Sequence, residues 1–317
     1  MKEIGGYLEF EQLISNPYYK NVVQLNTGRN ALIYLIKAKN IKKIYLPYFM
    51  CNSISLILRK YSIEYEYYHI NKEFLPIIDE KAKDNEYIYI VNYYGQISNK
   101  KVLMVKEQYN SVILDNTQAF FQKPIKDIDT IYSCRKYFGL PDGAYLSTGV
   151  VFNEKLEEDQ SASRMKHILG RFERQASEYY SEFKKNEDPF RELPIKKMSK
   201  LTENILGAID YQRIIELRNR NFKILNDNLK PTNILDIKTP FGAFAYPYYV
   251  ENGIETRKRL AEKKIYIPTL WPNVLKDNSE TSIEFDYAAN ILPLPCDQRY
   301  GVKEMEYIIN NLKELGE

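Results

Sequence analysis

Residues 132–146 read YSCRKYFGLPDGAYL, and the interpretation of the whole chain depends on them. A β-rich run ends at Ser133, Lys136 follows three residues later, and a Pro-Asp-Gly turn comes next. Taken alone, this pattern favours a strand that ends in a solvated lysine before a tight turn. The alternative is that Lys136 presents a neutral amine to a buried carbonyl group, and the surrounding sequence has to decide between the two.

Upstream of this stretch, from residue 21 to about 152, short β-rich runs alternate with helical stretches. In TGRNALIYLIKAKN (27–40), for example, apolar residues recur at helical spacing. The β-rich runs before Ser133 include VVQL (22–25), KKIYLPYF (42–49), IEYEYYHI (63–70), EYIYIVNYYG (86–95) and SVILDNTQAF (111–120). Buried strands that alternate with helices indicate an α/β fold with a mostly parallel sheet and crossover helices.

Downstream, the sequence changes character. Residues from about 154 to 200 are charged, helical and poor in β-branched side chains, which fits a connector, a lid or an arm that contacts a second subunit. Residues 201–229 predict one long amphipathic helix, and shorter strand-like and helical stretches follow. We therefore expect a large domain over 1–200, including the connector, and a smaller C-terminal α+β domain over 201–317.

Composition excludes several classes of function. The 317 residues contain 45 Lys plus Arg and 42 Asp plus Glu, a near-balance that argues against nucleic acid as the main partner. Three cysteines without C-x-x-C spacing and only two histidines argue against a disulfide framework and a metal centre. No apolar run is long enough to span a membrane and the N-terminal residues lack a signal-like apolar stretch, so we expect a cytoplasmic protein that does not act at a membrane.

Two further groups of polar residues stand where predicted strands end, the edge at which open α/β sheets bind ligands. In LNTGRNAL (25–32), Gly28, Arg29 and Asn30 open a helix, and the free amides of a helix N-terminus bind anions such as phosphate. A simple helix cap explains this stretch equally well. In VILDNTQAF (112–120), Asp115 ends a buried strand and Gln118 follows three residues later; either Asp115 caps the next structure or it pairs with a cation.

The three groups together match the needs of one cofactor. Pyridoxal phosphate requires a phosphate cradle, a carboxylate that keeps its ring nitrogen protonated, and a lysine amine that condenses with its aldehyde. The chain offers these in the order Gly28–Asn30, Asp115 and Lys136, with the Ser133 hydroxyl within reach of the phosphate.

The sequence resembles the sugar aminotransferases of the DegT/DnrJ/EryC1/StrS family, which have the aspartate aminotransferase fold (fold type I). The segments that carry the resemblance extend over most of the chain: TGRNAL, IYLPYFMCNS, VNYYGQ, LDNTQAF, SCRKYFGLPDGAYL, MSKLTENILGAIDYQ and ILPLPCDQRYGVKEMEYIINNL. A lysine at position 136 favours a transaminase, because family members that dehydrate sugars have a histidine there.

The resemblance implies a role for each candidate residue. Lys136 would bind the cofactor covalently and then move a proton between the substrate carbon and the cofactor, so it is the expected catalytic residue. Asp115 would pair with the ring nitrogen, and Gln118 would lie against the ring and its phenolic oxygen. The backbone of Gly28, Arg29 and Asn30 and the hydroxyl of Ser133 would hold the phosphate. Phe49 and Tyr48 are the candidates for stacking on the ring.

Two departures from the family pattern concern the phosphate. The family serine lies five residues before the lysine, whereas Ser133 lies three before it. The family also has an asparagine that reaches the phosphate of a neighbouring subunit, and the corresponding stretch here, LPIKKMS (193–199), contains none.

The resulting hypothesis is a homodimeric aminotransferase that uses pyridoxal phosphate. It would move an amino group from glutamate or glutamine to a nucleotide-linked keto-sugar during synthesis of a polysaccharide or a secondary metabolite. Two alternatives stay open: a pyridoxal phosphate enzyme that acts on another carbonyl acceptor, and a non-catalytic homologue that binds a sugar nucleotide.

Overall fold

The strands and helices follow the alternation that the sequence predicts. The structure, a computed structural model, describes residues 4–316, apart from the side chains of residues 188, 189 and 191. The strands are β1 (Val23–Leu25), β2 (Lys43–Pro47), β3 (Glu64–Ile70), β4 (Pro76–Ile77), β5 (Glu86–Val91), β6 (Val112–Asp115), β7 (Asp129–Ser133), β8 (Ala144–Ser147), β9 (Tyr246–Tyr249) and β10 (Ile291–Leu294). The helices are α1 (Gly28–Lys39), α2 (Ser53–Lys60), α3 (Asn99–Tyr109), α4 (Lys166–Glu173), α5 (Tyr180–Glu192), α6 (Lys200–Gly207), α7 (Tyr211–Leu229), α8 (Gly253–Glu262), α9 (Val274–Asp277), α10 (Ile283–Asn290) and α11 (Val302–Glu314).

An eight-stranded sheet in the order β1-β8-β7-β6-β5-β2-β3-β4 forms the centre of the molecule. The strands from β7 to β3 in this order run parallel to each other, and β8 is antiparallel to both of its neighbours. β1 therefore points the same way as β7. This mostly parallel sheet, flanked by helices, confirms the predicted fold class, and it brings the carboxyl ends of β1, β5, β6 and β7 to one edge.

The register of the sheet sets the position of Asp115. This residue ends β6 and pairs with Val91 on one side and Ile131 on the other. All of its neighbours in the strand are buried, because VILD is covered on both faces. The Asp115 carboxylate therefore projects where three parallel strands end.

Helix α1 begins at the same edge because only two residues separate it from the end of β1. Thr27 has extended backbone angles, and its hydroxyl accepts a hydrogen bond from the Asn30 amide at 3.1 Å. This is the N-cap arrangement expected for threonine. The apolar residues of α1 pack into the large core, and the helix ends at Asn40, which has the left-handed conformation common at helix C-termini.

A second, smaller core lies in the C-terminal part of the chain, around the antiparallel pair β9 and β10. The long helix α7 contributes to both regions. Tyr211 and Ile215 in its first half pack with aromatic residues near the large sheet, and Phe222 and Leu225 in its second half belong to the small core. The predicted boundary at 200/201 stays a prediction.

The prediction of a single helix over 201–229 is wrong. The helix stops at Gly207 and a new one starts at Tyr211. Asp210 causes the restart, because its carboxylate accepts a hydrogen bond from the Arg213 amide at 3.0 Å and caps α7. The Tyr211 hydroxyl donates to the Leu206 carbonyl at 2.7 Å and satisfies one of the free acceptors at the end of α6.

The segment from 154 to 200 contains α4 and α5 and then returns to the sheet. Met198 donates its amide to the Gln24 carbonyl at 3.2 Å, and the Asn26 amide donates to the Lys196 carbonyl at 3.0 Å. The stretch 193–199, which lacks the family's asparagine, thus lies along β1 of its own chain. Within residues 4–316, no helix has both the length and the apolar character needed to cross a membrane.

Candidate active site

The carboxyl ends of β1, β5, β6 and β7 surround a cleft with a cavity of about 160 Å³. Five residues that the sequence predicts line this cleft: Gly28, Arg29, Asp115, Ser133 and Lys136. They come from separate stretches of the chain, and the sheet brings them together because each follows or ends a strand at the same edge.

The start of α1 forms one wall. A Cβ atom on Gly28 would lie 3.7 Å from Ile131 and 3.9 Å from Thr117, both of which line the cleft, so glycine leaves that volume open. Asn30 is different, because its amide already donates to Thr27 and its side chain donates to the Pro194 carbonyl at 2.8 Å. The cradle formed by the main chain is therefore limited to Gly28 and Arg29, and the structure does not support the expected contact from Asn30.

Asp115 is buried, 8% exposed, and its carboxylate has two donors. The Tyr89 hydroxyl donates to Oδ2 at 2.9 Å, and the Thr117 amide donates to Oδ1 at 2.8 Å. These bonds fix the orientation of the carboxylate. Among residues 4–316, no lysine, arginine or histidine forms an ion pair with Asp115.

Tyr89 is fully buried and remains a hydrogen-bond donor. Burial raises the pKa of its hydroxyl well above the ordinary value, and the neighbouring carboxylate of Asp115 adds to the increase. The hydroxyl therefore keeps its proton across the physiological range of pH.

Lys136 extends into the cleft from the short turn after β7. Its Nζ donates to Thr117 Oγ1 at 3.1 Å, and no carboxylate of the described residues forms a salt bridge with it. Thr117 thus contacts Asp115 through its amide and Lys136 through its hydroxyl, and it connects the two predicted residues.

Ser133 and Gln118 have different positions. Ser133 lines the cleft, is partly exposed, and does not cap the turn that follows it. Gln118 is buried, and its side-chain oxygen accepts a hydrogen bond from the Tyr94 amide at 2.9 Å. Gln118 lines a separate cavity beside residues 240–243, so its expected position against a cofactor ring is not supported by this geometry.

The expected stacking aromatics also lie outside the cleft lining. Phe49 is fully buried against Tyr93 and Trp271, and Tyr48 stacks on Tyr67. The single tryptophan, Trp271, does line the cleft. The sequence offered no indication of this, because Trp271 is more than a hundred residues from the nearest predicted site residue.

Four further residues that the sequence did not indicate also line the cleft: Thr117, Tyr89, Arg135 and Glu187. The position of Thr117, two residues after Asp115, could have indicated it. The others depend on which way a side chain points or on contacts between distant segments. The described part of the chain contains no cluster of His, Cys, Asp and Glu suited to a metal ion.

Three solved structures illustrate what the fold is similar to. A DegT/DnrJ/EryC1/StrS aminotransferase from Brucella abortus has a TM-score of 0.63 at 13% identity, covering 93% of this chain and 86% of that chain. The sugar aminotransferase CalS13 from Micromonospora echinospora has a TM-score of 0.61 at 13% identity, covering 92% and 87%. The chain has the fold of these aminotransferases.

A third example of the aminotransferase fold is NtdA from Bacillus subtilis, whose crystal structure contains the cofactor PMP. Its TM-score is 0.64 at 14% identity, with 93% of this chain and 73% of that chain covered. No protein-family model matches the sequence, and a search of curated proteins found no significant match. The resemblance predicted from the sequence motifs is thus confirmed at the level of the fold.

Proposed function

We propose that the protein is an aminotransferase that uses pyridoxal phosphate and transfers an amino group from glutamate or glutamine to a keto-sugar. The observation that carries the proposal is the meeting of Lys136, Asp115 and the start of α1 in one cleft of an aminotransferase fold. A nucleotide-linked acceptor, a role in polysaccharide or secondary-metabolite synthesis, a homodimer and a cytoplasmic location are parts of the proposal that rest on the sequence resemblance.

The residues of the cleft fit the cofactor. Asp115 is a buried carboxylate without a cationic partner among the described residues, and a protonated ring nitrogen would supply that partner. The open space at Gly28 and the first amides of α1 suit a phosphate. The Lys136 amine forms no salt bridge within residues 4–316 that would keep it from reacting.

When bound, pyridoxal phosphate supplies an aldehyde that condenses with amines and a ring that withdraws electrons from the substrate carbon. The side chains of the cleft would bind the cofactor, move protons and position the reacting groups. With the cofactor bound, Lys136 would hold it before the donor arrives and would then carry a proton between the substrate carbon and the cofactor. Thr117 positions the Lys136 amine, and Tyr89 fixes the orientation of the Asp115 carboxylate, which would pair with the ring nitrogen.

An absorption experiment tests this proposal. Protein mixed with pyridoxal phosphate should show a visible band that decreases when glutamate is added, while the band of the amino form of the cofactor grows. Lys136→Ala should lack the original band, because the amine that binds the cofactor is gone. Lys123→Ala is a matched control, since Lys123 lies outside the cleft lining, against Tyr18. Absence of any band in the unmodified protein would refute the use of this cofactor.

A further inference from the structure

Arg135, which directly precedes Lys136, is held in the cleft by helix α5. Both Arg135 and Glu187 of α5 line the cleft, and Arg135 Nη2 donates to Glu187 Oε1 at 2.5 Å. The guanidinium carbon lies 3.9 Å from the centre of the Phe190 ring, which is 2% exposed. Stacking on a buried ring fixes the plane of the guanidinium group.

The hydrogen-bonding capacity of Arg135 is only partly used. Its Nε atom is buried and has no hydrogen-bond partner among the described residues, although Nη2 is bonded to Glu187. Nε and Nη2 form the edge of a guanidinium group that binds a carboxylate through two parallel hydrogen bonds. Glu187 takes one of these two donors, and a buried donor without a partner is unfavourable.

Glu187 is able to leave this position. Its side chain is 42% exposed, whereas that of Arg135 is 22% exposed. The surrounding part of α5 is anchored independently, because Arg29 donates to the Phe190 carbonyl at 2.8 Å and Lys60 pairs with Glu192 at 2.6 Å. Glu187 can therefore swing into solvent without detaching the helix.

We propose that Arg135 binds the α-carboxylate of the amino donor through Nε and Nη2, and that this carboxylate displaces Glu187. The inference rests on the proposed aminotransferase function and names the part of the site that recognises the donor. Arg135 and Lys136 line the same cleft, so a donor that occupies it can present its amine to Lys136 and its α-carboxylate to Arg135. The first amides of α1 would hold a cofactor phosphate, and the resident ligand of Arg135 is already a carboxylate.

A binding measurement tests whether Arg135 holds a carboxylate of the donor. Glutarate, which has no amine and does not react, is titrated into the cofactor-loaded protein by calorimetry. Arg135→Gln should weaken glutarate about tenfold or more, because a charge-assisted hydrogen-bonded pair is lost. Glu187→Gln should strengthen glutarate binding several-fold, because the competing carboxylate is gone. Lys60→Gln, which removes another anchor of α5 away from the cleft, should leave glutarate affinity unchanged.

The position of the carboxylate is tested with two amides of glutamate. L-glutamine keeps only the α-carboxylate, and L-isoglutamine keeps only the side-chain carboxylate. We expect Arg135→Gln to raise the half-saturating concentration of L-glutamine in the first half-reaction about tenfold, and to change that of L-isoglutamine little. The reverse pattern would overturn the assignment to the α-carboxylate.

Other results contradict the inference in recognisable ways. Unchanged glutarate affinity in both Arg135→Gln and Glu187→Gln would remove Arg135 from donor recognition. A weaker affinity for pyridoxal phosphate or for inorganic pyrophosphate, with glutarate unaffected, would assign Arg135 to a phosphate instead. If Arg135→Gln does not fold, the glutarate affinity of Glu187→Gln still tests the inference. Glu187 is partly exposed, so its substitution should not prevent folding. A failure of the proposed function is separate: the unmodified protein would then not bind pyridoxal phosphate at all.

Discussion

Individual residues in the cleft are fixed by hydrogen bonds to one another. Asp115 receives donors from Tyr89 and Thr117, and Thr117 in turn accepts from Lys136. A carboxylate that is buried without donors would be strongly unfavourable, so these bonds offset the cost of burying Asp115. Tyr89 and Thr117, which the proposed reaction leaves unchanged, therefore fix the positions of the side chains in the site.

Tyr89→Phe tests this arrangement. We expect it to lower the free energy of unfolding by about 1–3 kcal/mol, because the buried carboxylate loses a donor. Tyr68→Phe is a matched control, since the Tyr68 hydroxyl is also buried but donates to a neutral carbonyl, that of Tyr89, at 2.8 Å. Urea denaturation of the cofactor-free proteins measures both. A larger loss for Tyr68→Phe would contradict the importance assigned to the carboxylate.

The residues that could be predicted from the sequence are those whose position follows from the chain order alone. Asp115 and Lys136 each follow a buried β-rich run, so the sheet topology brings them to one edge. Gln118 could not be placed in this way, because its side chain turns to the Tyr94 amide instead of the cleft. The pairing of Arg135 with Glu187 joins residues 52 positions apart, and no local pattern indicates it.

At the scale of elements, close contacts between backbones limit which residues are possible. Helix α8 begins at Gly253, where a Cβ atom would lie 2.4 Å from the Ala289 carbonyl oxygen and 2.7 Å from the Asn290 Cα. Because these are backbone atoms at the junction of α10 and β10, they cannot move aside easily. The glycine thus lets α8 pack directly against that junction.

Gly253→Ala should therefore destabilise the protein by about 1–3 kcal/mol through overpacking. The matched control is Gly149→Ala, since a Cβ atom there meets nothing within 4 Å. Thermal or urea denaturation compares the two variants with the unmodified protein. Equal stability of both variants would show that α8 can shift away from the junction at little cost.

Element boundaries were less predictable than element types. The amphipathic pattern of residues 201–229 continues through the break, so periodicity alone indicated one helix. The aspartate that caps α7 was visible in the sequence, whereas the end of α6 is satisfied by a contact from the Tyr211 hydroxyl. The sequence could not show that contact.

For the whole molecule, the distribution of exposed apolar side chains bears on the proposed homodimer. Tyr7 and Leu8 near the N-terminus and Phe172 on α4 are each more than 90% exposed. In the proposed homodimer, the second copy of the chain would bury apolar groups of this kind.

Light scattering should therefore give a mass about twice the 37.5 kDa of one chain. Phe172→Ser should shift the protein towards the single chain, because it removes a large apolar contact. Ile234→Ser is the control, since Ile234 is 73% exposed in the C-terminal part of the chain. A single-chain mass for the unmodified protein at micromolar concentration would contradict the homodimer.

The proposed function depends on Lys136 as the residue that binds pyridoxal phosphate. Its most direct test is borohydride reduction of the protein mixed with the cofactor, followed by digestion and mass spectrometry of the peptides. We expect the added cofactor mass on the peptide that contains Lys136, and we expect glutamate added before the reduction to decrease that labelling. Labelling of another lysine, or none at all, would contradict the account.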